Sequence, residues 1–330
     1  METRRIVICM IGSMVGAGFA SGREIVSFFT RYGRFSWALI GLATVSIIFL
    51  VQRIMRRSRA GAVRLFPGGG MAGRLLLLAL LLSTAGGMAA AAGEIASLTI
   101  PVSQARFLGM AATTALCYCL SLRPFRSLQV LGWLLMPALL LGVTLCLRST
   151  ASLSLPSNAW PDWRRCLIGI GMALGYAGMN VTLSAQVLCE AGSRCREGAC
   201  CRAAAWTGGI LGCLLLLWNS AFMPQLSTLQ NAALPMVQLL RNYGKPGFYL
   251  AAVLLYLAIV TTLIAVLRAL DALLAPWLPR LRGWAICLCA IGVGLCGFEE
   301  IVARAYPFLG LLCWGCLCWP AEKRKKKRSV

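Results

Sequence analysis

Histidine is absent from the 330 residues, and acidic side chains are scarce, with 10 Asp and Glu against 32 Lys and Arg. Only 13% of the residues are charged, whereas a soluble protein of ordinary composition carries about 25%. The lack of histidine excludes histidine-based metal sites and histidine general-base catalysis. The shortage of charge excludes an ordinary soluble globular protein.

Hydrophobic residues instead make up 59% of the chain. A bilayer core is crossed by about 20 apolar residues in a helix, and the first apolar segment is followed by more of the same, unlike a cleaved signal peptide. The apolar segments are 4–31, 36–55, 75–98, 105–122, 127–147, 164–190, 203–222, 247–270, 283–298 and 302–319. The sequence therefore predicts an all-α polytopic membrane protein with about ten transmembrane helices.

The net charge of +22 is distributed unevenly between the two sides of these segments. With the N-terminus in the cytoplasm, 22 of the basic residues lie at cytoplasmic ends and connections, and nine lie on the opposite face. This bias follows the positive-inside rule, so we expect a bacterial plasma-membrane protein with both termini in the cytoplasm. The basic tail, residues 321–330, is expected to contact anionic lipid, and nucleic acid is not expected as a partner.

Most of the sixteen cysteines lie within the apolar segments, where they act as small hydrophobic residues. Four others share one predicted cytoplasmic loop: Cys189, Cys195, Cys200 and Cys201. A four-thiolate metal site is one interpretation, but the spacing matches no strong zinc pattern. Reduced free thiols are favoured, and no resident cofactor is expected.

The first apolar segment contains residues that a simple membrane helix would avoid. Gly12, Gly16, Gly18 and Gly22 are followed by the charged pair Arg23–Glu24. Glycine costs about 1 kcal/mol relative to alanine inside a helix, and a charge at the bilayer centre costs about 2.5–3.5 kcal/mol. We predict a helix interrupted near its middle, whose freed amides bind an anion such as a substrate carboxylate.

The charged pair is predicted to lie one or two turns further outward. Arg23 and Glu24 would gate the outer vestibule, pairing with each other or with Glu299 or Glu300. A purely structural ion pair is the alternative. Glu94, near the outer end of the third segment, either titrates for proton coupling or faces water. Residues 223–246 are predicted to form a short amphipathic helix over the outer mouth.

The sixth segment repeats this pattern, with Gly169, Gly171, Gly175, Gly178 and Asn180 in an apolar run. Matching interrupted segments five apart predict two inverted halves, a five-plus-five repeat with helices one and six broken. Close packing of small residues is the alternative. The expected units are 1–148, the first repeat; 149–163, an extracellular connection; 164–320, the second repeat; and 321–330, the tail.

The run from Gly16 to Ile25, followed by Phe28-Phe29, resembles the opening signature of the YkvI-like bacterial membrane proteins. That family is related to the amino acid/polyamine/organocation and neurotransmitter:sodium symporter groups. The resemblance implies a fold of the LeuT type. It also implies a sodium site formed by the residues Gly12, Val15, Ala258, Thr261 and Thr262.

Carbonyl and hydroxyl oxygens suit a hard cation, but threonines in membrane helices also bond to their own helix. The sequence departs from the symporters at Phe19, where their second sodium site has Asn, and in the third segment, which offers no Tyr for the substrate. Coupling by two sodium ions is therefore not expected.

The combined interpretation is a secondary active transporter, coupled to sodium or protons, for an amino acid or similar small organic solute. The residues expected to bind the solute are Gly16, Ala17, Gly18, Phe19, Ala20, Tyr176, Ala177, Gly178 and Asn180. The alternative is a nutrient-sensing receptor that binds without transport. No nucleophile–base pair or phosphate-binding loop is present, so an enzyme is not expected. Substrate identity and oligomeric state are left open.

Overall fold

A computed structural model describes residues 3–60, 70–122, 126–150, 162–195, 197–276 and 282–319. These residues are almost entirely helical and contain no strand. The α-helices are α1 Thr3–Met14, α2 Ala17–Ser21, α3 Arg23–Phe28, α4 Ser36–Arg59, α5 Met71–Thr99, α6 Ala105–Ser121, α7 Arg126–Thr150, α8 Trp163–Leu183, α9 Ala185–Arg194, α10 Glu197–Phe222, α11 Leu226–Leu229, α12 Pro235–Leu240, α13 Gly244–Leu274, α14 Arg282–Gly294, α15 Phe298–Glu300 and α16 Tyr306–Cys318.

Six stretches of the described chain are long and apolar enough to cross a membrane. They are Thr30–Arg59, Met71–Thr99, Trp163–Leu183, Gly198–Leu229, Pro235–Leu274 and Phe298–Cys318. Two shorter apolar helices are Leu139–Thr150 and Gly283–Gly294. The predicted all-α, multi-pass membrane protein is confirmed. Of the other predicted segments, the first is divided between α1, α2 and α3, and the fourth, α6, has 17 residues.

Small residues allow the helices of this bundle to approach closely. At Gly86 in α5, an added Cβ would lie 2.6 Å from the Val293 Cβ of α14. Two turns further along the same side of α5, a Cβ on Gly93 would lie 2.7 Å from the Arg106 carbonyl oxygen of α6. Because lipid chains supply no hydrophobic force between helices, such close backbone contacts are a main source of packing energy in a membrane.

The predicted interruption of helix six at residues 169–180 is wrong, because α8 runs through them without a break. Its glycines pack against neighbouring helices instead. A Cβ on Gly175 would lie 2.8 Å from the Pro307 carbonyl oxygen of α16, and a Cβ on Gly178 would overlap the Gly310 carbonyl oxygen. The small-residue packing considered in the sequence analysis therefore explains these positions. The chain leaves the helix only at Ser184, a turn between α8 and α9.

Arginines of α4 bind the carboxyl end of α16. Arg53 donates to the carbonyls of Leu317 and Cys318, at 2.9 Å each, and Arg57 donates to Trp319 at 2.8 Å. The last carbonyls of a helix have no partner within it, and positive charge is favourable there. These bonds join the helix before the basic tail to the second apolar segment.

The four cysteines predicted to share a loop, Cys189, Cys195, Cys200 and Cys201, are free thiols. Cys195 and Cys200 are buried, and Cys201 accepts hydrogen bonds from Gln52 at 3.0 Å and Arg56 at 3.3 Å. Within the part of the chain that the structure describes, no group of three His, Cys, Asp or Glu side chains is arranged to hold a metal. The tail 321–330 and residues 151–161 of the predicted extracellular connection lie outside the described residues.

Candidate functional site

The first apolar segment is interrupted between α1 and α2, where the sequence predicts it. Gly16 is extended, with φ −100° and ψ −172°, so the helical hydrogen-bond ladder cannot pass through it. The amide of Ala17 donates instead to the Thr262 hydroxyl of α13, at 3.2 Å. Among the described residues, no backbone amide donates to the carbonyls of residues 12–15. The break therefore releases four carbonyl oxygens.

A second interruption follows at Gly22, which the sequence did not predict separately. Gly22 has φ +79°, in the left-handed region that glycine adopts without steric cost, and separates α2 from α3. A Cβ at this position would overlap the ring of Phe222 in α10. Position 22 therefore requires glycine both for its backbone conformation and for the close approach of α10. This turn decides where the side chains of Arg23 and Glu24 lie.

Arg23 is buried and binds α15 and residues 230–232, which belong to the connection 223–246 that is predicted to lie on the outer side (the outer connection). Its guanidinium donates to the carbonyls of Gln230 at 2.7 Å and Ala232 at 2.9 Å, and to the Glu299 carboxylate at 2.5 Å. Glu299 is one of the partners that the sequence analysis considers for Arg23. The arginine thus joins three separate parts of the chain: α3, residues 230–232 and α15.

The same outer connection contains the predicted short helix. It is α12, Pro235–Leu240, whose residues are mostly buried, and it packs against α2, α7 and α13. Predicted helix and structure agree here. Because Arg23 binds the residues just before α12, the helix and the arginine together cover the outer side of the interrupted segment.

Glu24 does not lie outward with Arg23, and its predicted placement is wrong. Its carboxylate folds back beside Gly18, where an added Cβ would overlap it. The residue is only 7% exposed. No described residue donates a hydrogen bond to the carboxylate or forms an ion pair with it. A buried acidic group thus lies at the level of α2, where the sequence analysis expects a substrate carboxylate.

Two buried tyrosines lie near this carboxylate. Tyr176 of α8 and Tyr306 of α16 both lie within electrostatic range of Glu24. Neither hydroxyl makes a well-formed hydrogen bond with a described residue, although Tyr306 lies near Thr84. The Tyr176 ring meets the edges of Phe28 and Phe29, with ring centroids 5.4 and 5.0 Å apart. We call Gly18, Glu24, Tyr176 and Tyr306 the Glu24 cluster.

Tyr306 and Gly87 are positions that the sequence analysis missed. A Cβ on Gly87 in α5 would lie 2.9 Å from the Tyr306 hydroxyl, so this glycine makes room for that hydroxyl. The third segment has no tyrosine, and the tenth segment supplies one instead. The sequence signal that could have identified Tyr306 is its phenol within an apolar segment, since a buried Tyr hydroxyl usually requires a polar partner.

The other predicted solute-binding residues are divided between two faces. Ala17, Phe19 and Ala20 are buried in α2. Gly178 faces the backbone of α16, and the Asn180 amide donates to the Tyr176 carbonyl of its own helix at 3.0 Å. Of the predicted wall on α8, only Tyr176 is placed beside Glu24 by the contacts described above.

The predicted sodium ligands on α13 lie next to the break. A Cβ on Gly16 would be 3.3 Å from the Thr262 hydroxyl oxygen. Thr262 also donates to the Ala258 carbonyl at 2.8 Å, and Thr261 donates to Leu257 and Ala258 of its own helix. Bonding to their own helix, the alternative from the sequence, is thus observed for both threonines, and the sodium site stays a prediction. The Thr262 oxygen keeps one lone pair after its two bonds, so the oxygens present suit a hard cation.

Glu94 forms an ion pair with Arg106 at 2.8 Å, between α5 and α6. Its side chain is 22% exposed. The carboxylate thus has a partner at the end of α5, away from the residues that contact Glu24.

No protein-family model matches the sequence. The chain is 24% identical to the uncharacterised membrane protein YkvI of Bacillus subtilis (strain 168), over 97% of each protein. It is 25% identical to the uncharacterised protein YyaD of the same organism, over 93% of this chain and 92% of YyaD.

Two solved structures share the fold. MhsT in complex with L-phenylalanine has a TM-score of 0.60 at 14% identity, covering 94% of this chain and 87% of MhsT. The Eremococcus coleocola manganese transporter, in complex with an aromatic bis-isothiourea substituted compound, has a TM-score of 0.51 at 16% identity. The match covers 96% of this chain and 75% of that transporter. The predicted resemblance is confirmed: the chain is similar over nearly its whole length to uncharacterised YkvI-like membrane proteins and has a LeuT-type fold.

Proposed function

We propose that the protein is a secondary active transporter that moves a small organic solute, an amino acid or a similar compound, together with a cation. The observation that carries the proposal is the interrupted segment at Gly16, which releases four carbonyls, contacts Thr262 through the Ala17 amide and has the buried Glu24 carboxylate beside α2. Unpaired backbone in a membrane is tolerated only where it is buried in protein or lines a cavity. Such interruptions mark solute and ion sites in transporters of this type.

The coupling ion that the released oxygens favour is sodium. In the proposal, the carbonyls of Gly12 and Val15 and the Thr262 hydroxyl bind the ion, with Ala258 and Thr261 completing its surroundings. The donors are all neutral oxygens, which suit a hard monovalent cation. Binding would hold α1, α2 and α13 together at the break, so that the ion and the solute stabilise the same arrangement.

The architecture proposed for this function is ten transmembrane helices in a five-plus-five inverted repeat, 1–148 and 164–320. Support comes from the six long spans and from shorter helices between them. The turn at Ser184 is a candidate for the interruption of helix six. The distribution of arginine and lysine supports cytoplasmic termini in a bacterial plasma membrane, with the tail 321–330 against anionic lipid.

The outer side of the site is closed by Arg23 in this proposal. Its bonds to Gln230, Ala232 and Glu299 join α3, the outer connection and α15 above the break. For a solute to enter from outside, these bonds must separate, and a transporter alternates between arrangements in which they are formed and broken. Solute binding would then favour the arrangement in which Arg23 is bound.

Uptake into proteoliposomes tests the proposal. Purified protein in sealed vesicles is supplied with an inward sodium gradient, an inward proton gradient or neither, and with a radiolabelled panel of amino acids and amines. We expect one gradient to drive accumulation of at least one compound above the level in protein-free vesicles. Absence of gradient-driven uptake across the whole panel would refute transport. Binding without uptake would favour the receptor alternative instead.

A further inference from the structure

The Glu24 carboxylate is the one acidic group in the described part of the chain that is more than nine-tenths buried and has no partner. It lies beside Gly18, and the hydroxyls of Tyr176 and Tyr306 near it are also without well-formed hydrogen bonds. Hydroxyls from α8 and α16 thus lie within electrostatic range of this α3 carboxylate without a hydrogen bond to it. Such groups are costly to bury, and a bound solute can supply the partners that the protein does not.

No basic side chain of the described chain pairs with Glu24. Arg23, the neighbouring residue, directs its guanidinium to Gln230, Ala232 and Glu299. A positive charge that pairs with this carboxylate would therefore come from a bound solute.

A solute carboxylate fits this place poorly. The amides of α2 are the predicted partners of such a group, but the Glu24 carboxylate lies beside Gly18 of the same short helix. Two negative charges side by side in a buried site repel each other strongly, because a low local dielectric constant screens them weakly. An ammonium group there would instead pair with Glu24 and donate hydrogen bonds to the phenol oxygens of Tyr176 and Tyr306. It would also face aromatic rings.

We infer that the transported solute is a cationic amine without a free carboxylate, and that its ammonium group binds the Glu24 carboxylate between Tyr176 and Tyr306. This inference rests on the proposed function and narrows its solute from an amino acid or similar compound to an amine.

Thermal unfolding with matched ligand pairs tests the inference. The full-length protein in detergent is titrated with phenylalanine and 2-phenylethylamine, leucine and 3-methylbutylamine, and lysine and cadaverine. Within at least one pair, we expect the amine to raise Tm with an affinity about tenfold or more above that of its amino acid. Glu24→Gln should weaken amine binding by about tenfold or more, as expected for loss of a charge-assisted hydrogen bond.

Two further variants keep the test decisive if Glu24→Gln folds poorly. Tyr306→Phe removes only one hydroxyl and should weaken amine binding while leaving the ligand-free Tm nearly unchanged. Glu190→Gln makes the same acid-to-amide change at an exposed residue of α9 and should leave amine binding unchanged.

Equal or tighter binding of the amino acid in every pair, no binding of any amine, or full amine binding by folded Glu24→Gln would each overturn the inference. Proteoliposome uptake separates the two proposals. Amino acid uptake that Glu24→Gln leaves intact would support transport and refute the amine. Amine binding that depends on Glu24, without uptake under any gradient, would support the amine site and refute transport.

Discussion

Replacing Arg23 with lysine should destabilise the protein more than removing the charge of its partner Glu299. The Arg23 side chain is 5% exposed and donates three hydrogen bonds, two of them to the carbonyls of Gln230 and Ala232. A lysine ammonium cannot reproduce the planar fork that reaches all three acceptors. The comparison therefore asks whether the outer connection is held by the carbonyl bonds or by the ion pair.

The magnitudes differ enough to be measured. Hydrogen bonds from a charged donor contribute about 1.5–3 kcal/mol each, so losing two of the three in Arg23→Lys should cost about 3 kcal/mol or more. The Glu299 side chain is 45% exposed, and exposed ion pairs contribute about 0.2–1 kcal/mol. Because the amide of Glu299→Gln still offers an oxygen acceptor, this variant should lose about 1 kcal/mol or less.

Thermal unfolding in detergent, followed by intrinsic tryptophan fluorescence, checks this order, since the chain has 10 tryptophans. Arg31→Lys is the matched control. Arg31 is exposed and lies over the Tyr32 ring at 5.9 Å, a contact that lysine can also make. We expect the largest fall in Tm for Arg23→Lys, a small one for Glu299→Gln and almost none for Arg31→Lys. Equal losses in the first two variants would refute the dominance of the carbonyl bonds.

Two further predictions concern packing and the ion. Gly178→Ala forces a Cβ into the α16 backbone and should lower the free energy of unfolding by about 1–3 kcal/mol. Gly171 has nothing within 4 Å of an added Cβ, so Gly171→Ala should be neutral or stabilising. Equal Tm values for the two variants in detergent would contradict the close α8–α16 contact. Thr262→Val removes the oxygen that binds the Ala17 amide and should abolish stabilisation of the protein by sodium over potassium. Thr144→Val, whose hydroxyl bonds only within α7, should retain it; equal sodium responses in both variants would remove Thr262 from the ion site.

The interrupted first segment shows how far local chemistry predicts a transporter site. Glycine and charge are each unfavourable in a membrane helix, so their concentration at residues 12–24 predicts a break. These costs depend on the local sequence and hardly on the rest of the fold. The structure has that break at Gly16. The long spans were equally predictable, because burying a helix in lipid requires a fixed length of apolar residues.

The same reasoning fails in the sixth segment, because glycine serves two purposes. Gly175 and Gly178 resemble the glycines of the first segment in the sequence, but α16 fills the space beside them and the helix continues. A helix breaks when its backbone groups find other partners, and it continues when a neighbouring backbone packs against it. Which of these occurs depends on the partner helix, and no local pattern contains that information.

The sequence by itself determined a polytopic helical membrane protein whose first segment is interrupted, because hydropathy, positive charge in the connections and the cost of glycine are properties of the chain alone. Only the tertiary structure decided what surrounds the interruption. After the left-handed turn at Gly22, the Arg23 side chain binds Glu299 and the Glu24 side chain lies beside Gly18. Tyr306 joins Glu24 from the far end of the chain because α16 packs on α8. The direction of a side chain after a turn, and the residue that a distant helix brings to it, depend on packing in three dimensions.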